Sequence, residues 1–182
     1  VVDKPISYYA FEILYWTGIR EGELLALTLG DFNFEKKTLR INKSYQRLEG
    51  KDVITDQKTP KSNRTIAMPD FLTIEMEDFI KNIYGIKMDD RIFTISKSYL
   101  HHEMDRGAKL AGVKRIRIHG LRHSHISLLI NLGFSALTIG ERVGHESVDI
   151  TYHYAHLFPT VQTDMAAQLE TEREALVDVR KE

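Results

Sequence analysis

Histidine, arginine and tyrosine residues with the chemistry of phosphate transfer lie close together in the second half of the chain. His119, Arg122 and His123 fall within one short segment, and His145 and Tyr154 follow downstream. An arginine offers a planar fork of donors to phosphate oxygens, a histidine exchanges protons near neutral pH, and a tyrosine can form a covalent phosphoester. These residue types therefore indicate chemistry on a phosphate group.

The elements that must position these residues supply a second arginine. Arg20 follows a Thr17-Gly18 turn at the start of a predicted helix, and His119 and Arg122 lie at the start of another, over 119–132. A helix N-terminus presents free N–H groups and the positive end of the helix dipole, which suit an anion. Two arginines from separate segments match the two non-bridging oxygens of a phosphodiester.

The periodicity of apolar residues predicts a mostly α fold with a small three-stranded antiparallel β-sheet, an α+β arrangement. The strands are expected where β-branched residues alternate with polar ones between turn-forming residues. The expected strands are 38–46, 52–57 and 64–68, and the expected helices are 5–16, 20–29, 69–84, 96–111, 119–132, 135–143, 147–156 and 160–178.

Composition limits the classes of protein to consider. The 182 residues, 42% of them apolar, suffice for one well-buried domain. Cysteine is absent, which excludes disulfides and thiolate metal sites. Neither a signal peptide nor a membrane span is evident in the sequence. We therefore expect a cytoplasmic protein, without membrane association, that contains one catalytic-sized domain.

The formal net charge of −1 argues against binding to nucleic acid, because such proteins usually carry an excess of lysine and arginine. The distribution of charge weakens this objection. Basic residues cluster at 36–47, 58–64 and 106–122, whereas acidic residues concentrate at 75–90 and 164–182. A basic face and an acidic face are therefore compatible with the sequence.

The chain resembles the catalytic domain of the tyrosine recombinase (phage integrase) family, in particular integrases of prophages and conjugative transposons. The resemblance extends from TGIREGELLAL at 17–27 to TYHYAHL at 151–157, with the blocks in the family's order. Tyr154 follows His145 by nine residues, as the nucleophile does in the family, whereas Tyr152 is the weaker candidate. The matching positions are Arg20, Glu23, Lys58, His119, Arg122, His145 and Tyr154.

The resemblance implies a role for each of these side chains. Tyr154 would attack the phosphodiester and form a 3′-phosphotyrosyl link, while His119 accepts the phenol proton. Arg20 and Arg122 would stabilise charge on the pentavalent phosphate. Three further roles are implied: His145 donates to a non-bridging oxygen, Lys58 protonates the leaving 5′-oxygen, and Glu23 braces the site.

Three further expectations concern the residues around the site and its cofactors. His123 is expected to be a structural histidine behind Arg122. Lys58, Lys61 and Arg64, in the basic run 58–64, are expected to contact DNA. No metal, ATP or other cofactor is expected to take part in the reaction.

The resemblance also implies a larger assembly. Residues 1–159 would form the catalytic domain, and 160–182 a C-terminal amphipathic helix, while the core-binding and arm-binding domains of such integrases would precede this chain. The partners would be double-stranded DNA attachment sites, an excisionase or host DNA-bending factor, and three further copies on DNA, with a monomer in its absence. The protein would associate with a bacterial nucleoid. Whether the C-terminal helix packs on its own domain or on a neighbouring copy is left open.

Three other interpretations compete with this one. His119 and His123 are four residues apart, with four more histidines nearby, and this spacing is compatible with zinc. No HExxH motif and no suitable carboxylate ligand accompany them. A type IB topoisomerase shares the chemistry but relaxes supercoils instead of exchanging strands. A non-catalytic DNA-binding module is the third alternative, although the complete set of residues argues against it. The four other histidines are His125, His145, His153 and His156.

Overall fold

The fold, taken from a computed structural model, is described for residues 5–57 and 59–145, together with Tyr154 and Leu169. Six helices and five strands follow one another in this part of the chain. They are α1 (Ile6–Thr17), α2 (Glu21–Ala26), β1 (Phe32–Asn33), β2 (Thr38–Ile41), β3 (Lys43–Leu48), β4 (Lys51–Asp56), β5 (Arg64–Ala67), α3 (Asp70–Lys81), α4 (Lys97–Ala111), α5 (Ile118–Asn131) and α6 (Ala136–Val143).

The helices predicted over this part of the chain are confirmed, with shifts of a few residues at their ends. The predicted sheet is partly wrong. The segment 38–46 does not form one strand, because it divides between β2 and β3. Strands β1, β2 and β5 form a three-stranded antiparallel sheet, and β3 and β4 form a separate two-stranded hairpin. The helices predicted at 147–156 and 160–178 lie outside the described residues, apart from Tyr154 and Leu169.

The β3–β4 hairpin has a two-residue turn. Glu49 and Gly50 both have positive φ angles, of 50° and 78°. This combination is the type I′ turn, whose twist matches that of the flanking strands, and Gly50 adopts it without steric strain. The pairing then continues from Leu48 opposite Lys51 to Lys43 opposite Asp56. The hairpin therefore brings the chain back beside α2 just before residue 58.

Helix α1 ends at a glycine that the surrounding structure requires. Gly18 has a φ angle of 67°, in the left-handed region, and its N–H donates to the Leu14 carbonyl. A Cβ atom at this position would lie 2.5 Å from Cδ2 of His125 on α5. Gly18 therefore permits both the end of α1 and the close approach of α5.

Helix α5 carries a buried stripe with four-residue spacing. Ile118, Arg122, Ile126 and Ile130 all lie on this stripe and are buried. A four-residue repeat keeps side chains on one face of a helix. The stripe therefore carries the Arg122 guanidinium into the interior, while His119 and His123 project from the exposed edge one position further along.

In the described part of the chain, the apolar interior forms two clusters of unequal size. The larger cluster joins α1, α2, the three-stranded sheet and α3. The smaller cluster lies between α5 and α6, and Tyr154 packs against it as a half-buried residue. Its buried members are Ile126, Ile130, Ile139 and Val143.

Candidate active site

Arg20 is held at the start of α2 by contacts on two sides. Its backbone N–H donates to Oε2 of Glu23 at 2.8 Å, and its Nη1 donates to Oε1 of the same carboxylate at 3.0 Å. Its Nη2 donates to the carbonyl of Gly144, after α6, at 3.1 Å. The Arg20 side chain is not fully buried, so part of its guanidinium remains accessible to an anion.

The Glu23 carboxylate joins the elements of this region. Its side chain is 1% exposed and accepts hydrogen bonds from Arg20, from Nε2 of Gln57 at 3.1 Å, and from both terminal nitrogens of Arg64 at 3.0 and 3.1 Å. Burial alone would raise the pKa of Glu23, but the hydrogen bonds and positive charges of Arg64 and Arg20 hold it below its usual value. Glu23 is therefore an ionised brace, in the position that the resemblance implies.

Arg64 does not have the DNA-contacting position predicted for it. Its side chain is only 6% exposed, and its donors are used within the protein. Besides the two bonds to Glu23, Nε donates to the Arg142 carbonyl at 2.9 Å and Nη1 donates to the Ser62 carbonyl at 3.1 Å. Arg64 therefore connects Glu23 to the end of α6. This positioning role was not predicted from the sequence.

Arg122 reaches the same region from α5. It is 3% exposed, and Nη1 donates to the Gly18 carbonyl at 2.7 Å. Its buried Nη2 has no hydrogen-bond partner within the described part of the chain. Burial, aided by the charge of Arg20, lowers the pKa of Arg122 to about 9, which leaves it a cation at neutral pH. A buried donor without an acceptor is unfavourable, so an anionic ligand at Nη2 would be stabilising.

His145 follows the last turn of α6 and is neutral at neutral pH. It is 8% exposed, and its backbone N–H donates to the Gly140 carbonyl at 2.9 Å. Burial lowers its pKa to about 4, and the positive charges of Arg122, Arg20 and Arg64 act in the same direction. A neutral imidazole beside three guanidinium groups can donate one N–H to a phosphate oxygen, as the resemblance implies.

Tyr154 contacts a different histidine from the predicted one. Its hydroxyl is hydrogen-bonded to Nδ1 of His123, and the two rings lie with centroids 5.7 Å apart. His123 is exposed, so its predicted place behind Arg122 is wrong. Burial raises the pKa of Tyr154, although the charge of Arg122 opposes this shift.

His119 lies beside His123 on α5. The two imidazoles meet edge to face, with centroids 4.8 Å apart and planes at 90°. Burial lowers the pKa of His119, and the nearby groups His123, Arg122 and Arg20 add to this effect. The structure shows the Tyr154 hydroxyl against His123, which the sequence reading did not anticipate.

Of the remaining predicted site residues, Lys61 is described by the structure and Lys58 is not. Lys58 lies outside the described residues, but its neighbour Gln57 donates to Glu23 and, at 3.2 Å, to the Lys43 carbonyl. Lys61 lies exposed in a short 3₁₀ turn, Pro60–Ser62, which is consistent with a surface contact. The alternative nucleophile Tyr152 also lies outside the described residues.

Residues 5–57 and 59–145 hold no group of three or more histidines and carboxylates that could bind a metal ion. Within the same part of the chain, no helix has both the length and the apolar character needed to cross a membrane.

Comparison with known proteins identifies the family to which this arrangement of residues corresponds. The sequence profile described as the Phage integrase family matches residues 3–160. The chain belongs to this family. The match includes every predicted site residue from Arg20 to Tyr154.

Relatives in the family are integrases and tyrosine recombinases. The ICEBs1 integrase of Bacillus subtilis is 33% identical over 182 residues, which cover 92% of this chain and 50% of the relative. A protein named tyrosine recombinase XerC-like, from Caldanaerobacter subterraneus, is 26% identical over 189 residues, covering 87% of this chain and 48% of the relative. The chain thus spans about half the length of the curated relatives it matches.

Solved structures of integrases share the fold. A Tn1549 transposon integrase in complex with a circular intermediate DNA superposes with a TM-score of 0.75 at 23% identity, covering 94% of this chain and 60% of that protein. The XerA recombinase superposes with a TM-score of 0.64 at 21% identity, over 89% of this chain and 56% of the other. The predicted tyrosine recombinase catalytic fold is therefore confirmed.

Proposed function

We propose that the protein is a site-specific DNA recombinase that cuts and rejoins double-stranded DNA through a phosphotyrosyl intermediate at Tyr154. The observation that carries this proposal is the convergence of Arg20 and Arg122, from separate helices, with His145. The buried and unpartnered Nη2 of Arg122 lies among these groups. A phosphodiester would supply acceptors for all three side chains.

The proposed reaction forms one bond and breaks another at the same phosphorus atom. The Tyr154 oxygen attacks, the bond to the 5′-oxygen breaks, and the products are a 3′-phosphotyrosyl link and a free 5′-hydroxyl. Arg20 and Arg122 stabilise the charge that develops on the non-bridging oxygens, an effect typically worth a few kcal/mol per donor. Lys58 protonates the leaving oxygen, as the resemblance implies. Because a phosphoester bond is retained, a 5′-hydroxyl from another strand can reverse the step.

The relatives support a proposal for the substrate class. They include integrases of mobile elements, and the solved Tn1549 integrase is in complex with a circular intermediate DNA. We propose that this protein acts on the attachment sites of a mobile genetic element, inside a bacterial cell and at its nucleoid. An excisionase or a DNA-bending factor of the host would then set the direction of recombination.

Covalent trapping on DNA tests this function. The full-length protein is incubated with a nicked attachment-site duplex, from which the short cleaved fragment diffuses away, and the products are separated under denaturing conditions. We expect a protein–DNA adduct that disappears in Tyr154→Phe. Absence of an adduct from the unmutated protein, or an adduct that persists in Tyr154→Phe, would contradict the proposal and favour the inert DNA-binding module.

Strand exchange between two duplexes separates a recombinase from the topoisomerase alternative. The proposed recombinase joins each cleaved strand to a new partner and needs a defined sequence. A type IB topoisomerase instead relaxes supercoiled DNA of unrelated sequence. Relaxation of plasmids that lack the attachment site, without exchange, would favour the topoisomerase.

We also propose that four copies assemble on DNA and that the segment 160–182 docks on a neighbouring copy. Leu169, an apolar residue of this segment, is 71% exposed, which leaves its side chain available to a partner. Leu169→Asp should reduce synapsis of two duplexes more than cleavage of one, with Gln168→Asp as the matched control. Equal loss of synapsis and cleavage would indicate packing on its own domain.

A further inference from the structure

We infer that His123, and not His119, accepts the proton of the Tyr154 nucleophile during DNA cleavage. This inference rests on the proposed recombinase function and assigns one of its proton transfers. The contact that carries it is the hydrogen bond between Nδ1 of His123 and the Tyr154 hydroxyl. A group that takes a proton in the reaction must reach the atom that loses it.

The surroundings of the two histidines favour the same assignment. His119 meets the His123 ring edge to face, and its pKa is lowered first by burial and then by nearby groups including Arg122 and Arg20. An imidazolium at His119 would therefore form close to two guanidinium groups. Both histidines lie on the exposed edge of α5, but it is His123 that is hydrogen-bonded to the hydroxyl.

The proton balance of the step is complete. The step requires the tautomer of His123 with its proton on Nε2, in which Nδ1 can accept from the phenol. As the Tyr154 oxygen bonds to phosphorus, its proton passes to Nδ1 and the imidazole becomes an imidazolium. The bond to the 5′-oxygen breaks, and its electron pair leaves with that oxygen, which another group protonates. In the rejoining step the imidazolium returns the proton to the departing Tyr154 oxygen.

The position of Tyr154 supports a role for this contact in positioning as well. Its ring packs against the small α5–α6 cluster. One member of that cluster, Ile126, follows His123 by three residues on α5. The cluster fixes the ring, while His123 fixes the hydroxyl. His123 therefore controls both where the nucleophilic oxygen lies and when it is deprotonated.

The experiment measures single-turnover formation of the covalent adduct by the full-length protein. The substrate carries sulfur in place of the bridging 5′-oxygen, because a thiolate leaves without a proton and the rate then reports the nucleophile side. We expect His123→Ala to slow adduct formation about 100-fold, at the low end of general acid–base contributions. His102→Ala, which removes an exposed histidine of α4, is the matched control and should retain the rate.

Two further variants separate proton transfer from positioning. His123→Asn keeps a hydrogen-bonding group near the Nδ1 position but cannot accept a proton from the phenol, so it should be nearly as slow as His123→Ala. Replacing Tyr154 with 3,5-difluorotyrosine gives a more acidic phenol that needs less help. This replacement should restore most of the rate to both His123 variants but not to His119→Ala, because the inference gives His119 no part in this proton transfer.

Each result either supports the inference or overturns it. It is wrong if His123→Ala cleaves at the unmutated rate, if His123→Asn retains activity, or if the fluorinated nucleophile rescues His119→Ala instead. These outcomes leave the proposed function intact, because the unmutated protein still forms an adduct that requires Tyr154. If the unmutated protein forms no adduct, the proposed function itself fails.

Discussion

The arginine side of the candidate site and its tyrosine side are held by different kinds of contact. Arg20, Arg64 and Gln57 all bond to one carboxylate, Glu23, which is buried beside the larger core. Tyr154 is half-buried against a cluster that has four buried members in the described part of the chain, and it bonds to an exposed histidine. The proposed phosphate-binding groups are thus braced from several directions, whereas the proposed nucleophile has fewer contacts with the residues that the structure describes.

This difference corresponds to the different demands of the two sides. Preorganised donors stabilise developing charge because they do not have to reorient during the reaction. The oxygen of a nucleophile, in contrast, exchanges its bond to hydrogen for a bond to phosphorus, and that new bond must break again in the rejoining step. Variants on each side should therefore have distinct signatures, with large losses of stability on the arginine side and losses of rate alone on the tyrosine side.

The largest effect on stability is expected from Glu23→Ala. It leaves the buried Arg64 guanidinium without its anionic partner, a change that typically costs about 3–5 kcal/mol of unfolding free energy. Chemical denaturation measures this loss, with exposed Glu35→Ala as a control that should change stability by less than about 0.5 kcal/mol. A similar small change for both variants would show that Glu23 does not brace the arginine side.

A smaller loss is expected from Gly144→Ala. Gly144 has a φ angle of 70°, and an added Cβ would lie 2.8 Å from Nη1 of Arg64. The left-handed conformation alone costs a non-glycine residue about 1–2 kcal/mol. Gly112→Ala is a matched control, because Gly112 has a φ angle of 64° and open space around it. Equal losses in the two variants would mean that the clash between the added Cβ and Arg64 does not contribute to the loss of stability.

Acid should weaken the fold through His145 in a defined pH range. The folded pKa of about 4 lies below the ordinary value of 6.5, so between these values the unfolded chain binds more protons. Stability contributed by neutral His145 is therefore complete above about pH 6.5 and declines as the pH falls toward 4. The difference between the unmutated protein and His145→Gln in unfolding free energy should shrink over this range. A constant difference would contradict the lowered pKa.

The smallest effect on stability is expected from His123→Ala. The residue is exposed, and substitutions at such positions usually change unfolding free energy by less than about 0.5 kcal/mol. The same variant should slow adduct formation strongly, which separates the tyrosine side from the arginine side. A loss above 1 kcal/mol by thermal or chemical denaturation would show that His123 also supports the fold.

Much of this fold follows from local sequence patterns. The buried stripe of α5 and the turn at Glu49 and Gly50 depend on neighbouring residues, and the helices predicted within residues 5–57 and 59–145 are confirmed. The division of residues 38–46 into two strands was not predicted, because which strands pair depends on contacts distant in sequence. Strand β2 pairs with β5 across more than twenty intervening residues, whereas β3 pairs with its immediate neighbour β4.

The candidate site shows the same limit. Arg64 occurs in a basic run that suggests a solvent-exposed surface, and the pattern alone does not reveal that Glu23 lies opposite it. The alternation of buried and exposed residues in β5, with Arg64 on the inward side beside Ile66, was the available signal. Likewise, His119 and His123 share one edge of α5, so the sequence could not decide which of them meets Tyr154.

The small α5–α6 cluster also bears on how the protein loses activity when heated. Proteins open in cooperative parts, and a part with few buried apolar contacts opens at a lower free energy than the whole. Among the described residues, helix α6 is such a part, and the residue after it, Gly144, supplies the carbonyl that holds Arg20. We therefore expect amide protons of α6 to exchange with deuterium sooner than those of α1, and inactivation to begin at temperatures where most of the domain is still folded.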